Sequence, residues 1–178
     1  SERERLEDSS RKSKERLERI ARTLEKLLRD WRREVEKSEK RHRELVEKVR
    51  RDLDDLRRRG KVREELERKL EELIKESEKS VKRSKDEVEK VIREMEEELK
   101  RLVEELERVN TEVREAAERN VDTEKLLRDH KRLVDDLDRR AKELLEELKR
   151  VIDEDKKRNE KNLTDSRRLV EELKEEVR

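Results

Sequence analysis

The chain has 178 residues, 61% of them charged and 28% apolar, and its 55 basic and 54 acidic side chains leave a formal net charge of +1. Balanced charge, no Pro, one Gly and an abundance of Glu, Lys, Arg and Leu argue against disorder and for long regular helices. The same balance argues against a basic nucleic-acid-binding face, the lack of a long apolar run against a membrane span or signal peptide, and the absence of Cys against disulfides and thiolate metal sites.

The pattern predicts three helices, at about 2–58, 62–118 and 123–177. In the first, Leu6, Leu17, Ile20, Leu24, Leu27, Trp31, Val35, Leu45, Val49, Leu53 and Leu56 follow one another in steps that keep to one face. Arg57, Arg58 and Arg59 suit the negative end of this helix, and Gly60 is the residue that reaches a helix-ending left-handed conformation at no steric cost. The second helix ends at Arg119-Asn120, where Asn is the next best left-handed residue. Asp122 then caps the third helix, with Val121 and Leu126 placed as a hydrophobic staple. Each helix is about 55 residues, or about 80 Å, and loops this short set successive helices antiparallel.

The stripe recurs every 18 residues, as Leu17, Val35, Leu53 in the first helix and Leu70, Val88, Leu106 in the second. In the third helix two such series run side by side, Leu127, Leu145, Leu163 and Val134, Ile152, Val170. This period is about five turns of a straight helix, so little supercoil is expected. Flanking Leu28, Val46, Ile74, Ile92, Leu127 and Leu145 widen the stripe enough for each helix to meet two neighbours. On the outer faces Glu precedes Lys or Arg by four residues repeatedly, as in Glu15/Arg19 and Glu104/Arg108, the reading of a solvated surface. The expected architecture is an all-α, long, nearly straight, up-down-up three-helix bundle forming a single domain.

Uncharged polar residues interrupt the stripe. Ser10, Ser13, Ser38 and His42 do so in the first helix, Ser77, Ser80, Ser84 and Asn110 in the second, and His130, Asn159, Asn162 and Ser166 in the third. A buried polar group without a partner costs about 1–3 kcal/mol, so their placement needs a reason. Folding the chain at its two turns supplies one. Ser38 then faces Ser80 and Ser84, His42 faces Ser77, and Ser166, Asn162 and Asn159 come opposite Ser77, Ser80 and Ser84. A second level sets Asn110 opposite Ser9, Ser10 and His130, with Thr111 adjacent. Asp155 and Thr164 flank the first level, and Thr23 fits neither. Two hydrogen-bonded levels would fix helix register, because a slip leaves their members unpaired.

The same residues offer little for chemistry. His42 and His130 fall in different levels and lack carboxylate companions at ligand spacing, so no metal and no cofactor is expected. Ser38, His42 and Asp155 superficially resemble a hydrolase triad, but no nucleophile turn or oxyanion hole accompanies them, so no enzyme is expected. Trp31, the sole aromatic residue, lies on the stripe and reads as core. No partner is required and a monomer is expected, with self-association through Leu28, Val46, Ile92 and Val134 as the alternative.

Gln, Cys, Phe, Tyr and Pro are absent and Ala occurs only at 21, 116, 117 and 141. With the 18-residue repeat, the short loops, the Glu/Lys/Arg surface and the aligned Ser/Asn/His levels, the whole chain resembles de novo designed helical bundles with buried hydrogen-bond networks. That resemblance implies a thermostable scaffold with no natural substrate. In helix count the chain also resembles spectrin-type repeats, which are shorter and carry core aromatics. A looser likeness is to membrane-bending BAR domains, which need kinked helices and a concentrated basic surface. Either would make it a coiled-coil interaction or assembly module.

Overall fold

A computed structural model describes residues 2–60, 63–119 and 122–177. Three helices account for nearly all of them: α1 (Glu2–Arg58), α2 (Glu64–Glu118) and α3 (Thr123–Val177), and no strand occurs among the described residues. The molecule is an all-α three-helix bundle.

The first turn is made as the sequence requires. Gly60 adopts φ +64°, and backbone bonds from Arg59 N–H to the Asp55 carbonyl (3.2 Å) and from Gly60 N–H to the Arg57 carbonyl (3.1 Å) close the end of α1. Arg57 reaches across the turn to pair with Glu67, and with Glu71 at 3.4 Å. α2 begins two residues later than the apolar pattern indicates. Val62 and Lys61 lie outside the described residues, and the Arg63 carbonyl accepts the first helical bond, from Glu67 N–H at 3.1 Å. Glu64, Glu65 and Glu67 then occupy the first turn, where the helix dipole favours negative charge.

At the second turn the Asp122 carboxylate accepts Glu124 N–H at 3.2 Å and Lys125 N–H at 3.5 Å, as an N-cap does, while its carbonyl takes Leu126 N–H at 3.2 Å. The roles expected of Asn120 and Val121 fall outside the described residues.

The chain divides into two compact units, each drawing on all three helices. The first comprises Ser1–Leu28 and Val91–Arg150, and the second Arg29–Lys90 and Val151–Arg178. In the first unit Leu17 from α1 packs with Leu102 and Leu106 from α2 and with Val134, Leu137 and Ala141 from α3. In the second, Val49, Leu53 and Leu56 pack with Leu66 and Leu70 and with Val170 and Leu173. Cross-helix pairs show the direction of each helix. Within the second unit Arg50 meets Glu78 and Arg32 meets Glu89 between α1 and α2, while Asn162 meets Ser80 and Arg158 meets Glu87 between α2 and α3. In each pairing a rising number on one helix goes with a falling number on the next, so these helices are antiparallel.

Burial sorts the repeats. Leu17, Val35, Leu53, Leu70, Val88 and Leu106 are all buried, and each fully buried leucine contributes about 1.5–3 kcal/mol. On α3 the two series differ: Val134, Ile152 and Val170 are buried, whereas Leu127, Leu145 and Leu163 are half-buried flanks. Most of the flanking residues named for self-association are taken up within the units. Leu28, Val46 and Val134 are buried inside their units and Ile92 is half-buried, because the widened stripe is what each helix needs to meet two neighbours.

Candidate functional site: two buried polar clusters

Seven polar or charged side chains are buried among the described residues: Ser13, His42, Ser77, Ser84, His130, Asp155 and Ser166. Three of them, Ser84, Asp155 and His130, belong to two clusters, one in each unit.

In the second unit the centre is Asp155 on α3, only 2% exposed. Its Oδ2 accepts the indole N–H of Trp31 from α1 at 2.8 Å, and its Oδ1 accepts the hydroxyl of Ser84 from α2 at 2.9 Å. Asn159, one turn along α3, places Nδ2 3.4 Å from Oδ2, and the Arg158 guanidinium lies 3.6 Å from Oδ1. A buried carboxylate is costly unless its lone pairs are occupied, and here donors come from all three helices. Ser84 also sits 3.1 Å from Asn159 Oδ1, but one hydroxyl proton cannot serve two acceptors. The charged acceptor wins it, and Asn159 keeps its Nδ2 turned towards Asp155 Oδ2 as a donor. Farther along, Asn162 Nδ2 donates to Ser80 Oγ at 2.6 Å.

In the first unit the centre is His130 on α3, fully buried. Its Nε2 lies 2.9 Å from Asn110 Oδ1 on α2 and 3.4 Å from Ser10 Oγ on α1. An amide oxygen only accepts, so Nε2 carries the proton. Nδ1 then has a bare lone pair and no partner. Protonation would put an N–H at that buried position, and burial holds the His130 pKa below its ordinary value.

The remaining residues do not join these clusters in the way their alignment implies. Ser13 bonds back to the Ser9 carbonyl of its own helix at 2.8 Å, and Thr111 does the same to Glu107. Ser38 pairs within α1, its Oγ 3.4 Å from His42 Nδ1, instead of meeting Ser80 or Ser84. His42 Nδ1 donates to the Ser38 carbonyl at 2.8 Å, which leaves Nε2 buried without a partner. Ser77 Oγ is likewise buried and unpartnered, so neither the expected His42–Ser77 bond nor a Ser77–Ser166 bond forms. The same tautomer separates Ser38, His42 and Asp155 chemically. The His42 nitrogen nearest Ser38 already holds a proton, and the Asp155 oxygens are engaged by Trp31 and Ser84.

Two residues carry more than the sequence assigned them. Asp155 is the centre of a cluster, not its flank, and Trp31 is a donor as well as core. The signals were present: a tryptophan on a buried stripe needs an acceptor for its N–H, and Asp155 shares the inward face of α3 with Ile152 and Asn159.

An elongated groove of about 910 Å³ lies between α2 and α3 of the second unit, with Ser80 and Asn162 on its floor and Lys79, Glu76 and Lys161 on its rim. No group of three or more His, Asp or Glu able to hold a metal ion occurs among the described residues, and no helix there is long and apolar enough to cross a membrane. In comparison with known proteins, no family model, no curated protein and no solved structure matches the chain.

Proposed function

We propose that the chain is a structural scaffold of the designed-bundle kind, without catalytic activity, in which the polar clusters set which helix faces which and at what height. One observation carries this reading. Each unit holds a three-way junction with one side chain from each helix, Trp31–Asp155–Ser84 in one and Ser10–His130–Asn110 in the other. Apolar contacts between Leu, Val and Ile are tolerant of small shifts, because many registers bury similar area. A buried carboxylate with aimed donors is not tolerant: a one-turn slip, about 5.4 Å, removes every bond it makes. The restricted residue palette supports the same reading.

The test is to replace one junction whole, as Trp31→Phe, Ser84→Ala, Asp155→Leu and Asn159→Leu in one chain. The expected variant is at least as stable towards denaturant, since a satisfied buried charge is often no better than an apolar substitute. It should lose its single register, seen as multiplied or broadened amide resonances. A variant that keeps one sharp set of resonances would overturn the register role.

A further inference from the structure

We infer that the α2 shoulder of the groove in the second unit is a weak docking surface for a second copy of the same chain, with the two α2 helices antiparallel. Glu65, Lys69, Glu72, Glu76, Lys79, Arg83, Asp86 and Lys90 follow one another in alternating steps of four and three, which keeps them on one stripe of α2. All are exposed, and Lys69, Glu72, Glu76, Lys79 and Arg83 form the rim of the groove.

The order of signs along this stripe is antisymmetric about the point between Ser77 and Glu78. Residues equidistant from that point carry opposite charge in every case: Glu76 with Lys79, Glu72 with Arg83, Lys69 with Asp86, and Glu65 with Lys90. A two-fold axis lying in the contact plane and crossing the helices at that point places each residue against its equidistant mate on the other copy. Such an interface is isologous, and every pair recurs by symmetry. Turning the axis along the helices would set like against like, so the pattern selects the antiparallel arrangement.

Partners within the chain answer only some of these charges, Lys90 among them. Among the described residues Glu72, Arg83 and Asp86 enter no ion pair. Glu65 with Lys69, at 4.0 Å, and Glu76 with Lys79, at 3.9 Å, are at the outer limit of contact. The groove beside the stripe gives long side chains room to fold down towards Ser80 and Asn162. Exposed ion pairs contribute little individually, so the dimer is a weak one that depends on ionic strength.

The experiment is sedimentation of the full chain at submillimolar concentration in low salt, with two charge-reversed variants. One is Glu72→Lys with Glu76→Lys, and the other is Lys79→Glu with Arg83→Glu. The wild type should self-associate in low salt and be monomeric near 1 M salt, where the screening length is about 3 Å. Each variant alone should bind itself about tenfold more weakly or worse, since like charges then face each other. An equimolar mixture should recover association, because every reversed residue meets an opposite charge. That recovery also shows that neither variant has merely unfolded. A wild type that stays monomeric in low salt overturns the proposal. So does a dimer indifferent to either variant, as association through the exposed Val103 or Leu133 would be, or a mixture that fails to recover.

Discussion

Trp31 on α1 donates its indole N–H to Asp155 on α3 at 2.8 Å, with the ring 1% and the carboxylate 2% exposed. Both groups would be destabilising alone at those depths. An indole N–H without an acceptor loses a hydrogen bond it had to water, and a carboxylate without donors loses its hydration. Together with the Ser84 hydroxyl they satisfy one another, and the sole aromatic residue of the chain becomes a reporter of the junction.

Asp155→Ala removes the acceptor while leaving its donors buried. Two orphaned donors at about 1–3 kcal/mol each make the expected loss about 2–6 kcal/mol. Chemical denaturation followed by Trp31 fluorescence measures it, and the emission should also change, since its N–H no longer faces a charge. A neutral Asp155→Ala would mean that the carboxylate is solvated in solution.

Ser77 and Ser84 are both buried serines on one face of α2, yet their alanine variants should move in opposite directions. Ser84→Ala removes a bond to a charged acceptor and should cost about 1.5–3 kcal/mol. Ser77→Ala removes an unpartnered hydroxyl and should raise stability by up to about 1–3 kcal/mol, the penalty that group now carries. Urea midpoints of the two variants decide this. If Ser77→Ala destabilises, Ser77 has a partner in solution, and the buried, unpartnered His42 Nε2 is the acceptor to examine.

Acid should destabilise the first unit through His130. Its folded pKa lies below the unfolded value of about 6.5, so the unfolded chain binds the proton more tightly. The stability due to the neutral ring is therefore complete above about pH 6.5 and is lost as pH falls below that value, down to the folded pKa. His130→Gln keeps a polar side chain but does not titrate. The stability advantage of wild type over this variant should shrink from pH 7.5 to pH 5. A difference that does not vary with pH would place the proton on His130 in the folded state as readily as in the unfolded one.

Gly60→Ala should cost about 1–2 kcal/mol although nothing lies within 4 Å of the added Cβ. The cost is torsional, from holding an L-residue at φ +64°, and not steric crowding by neighbours. Gly60→Asn should recover much of it, because Asn tolerates that region. Thermal unfolding of the pair separates the two causes.

Much of the fold was legible in the sequence because it depends on local chemistry. Composition and apolar spacing define three helices. Gly60 marks one turn through its conformational freedom, and Asp122 the start of α3 through its reach to backbone N–H groups. The buried series from Leu17 to Leu53 and from Leu70 to Leu106 follows from period alone, since a helix fixes which residues share a face. Counting back from the turns also placed Asn162 by Ser80, Asn159 by Ser84 and Asn110 by His130.

Tertiary structure decided what counting could not. Whether a hydroxyl bonds across helices or back to its own carbonyl depends on rotamers and distances of tenths of an ångström, so Ser13 and Ser38 turned inward to α1 while Ser84 crossed. A register sum gives height along the bundle but not the direction in which a side chain projects. Asp155 lies about two turns from Ser80's partner Asn162, yet its length and angle bring it to both Trp31 and Ser84. The clusters centre on Asp155 and His130 because a buried charge or a buried ring nitrogen must be answered where it lies, and only the packed helices determine which donors can reach it.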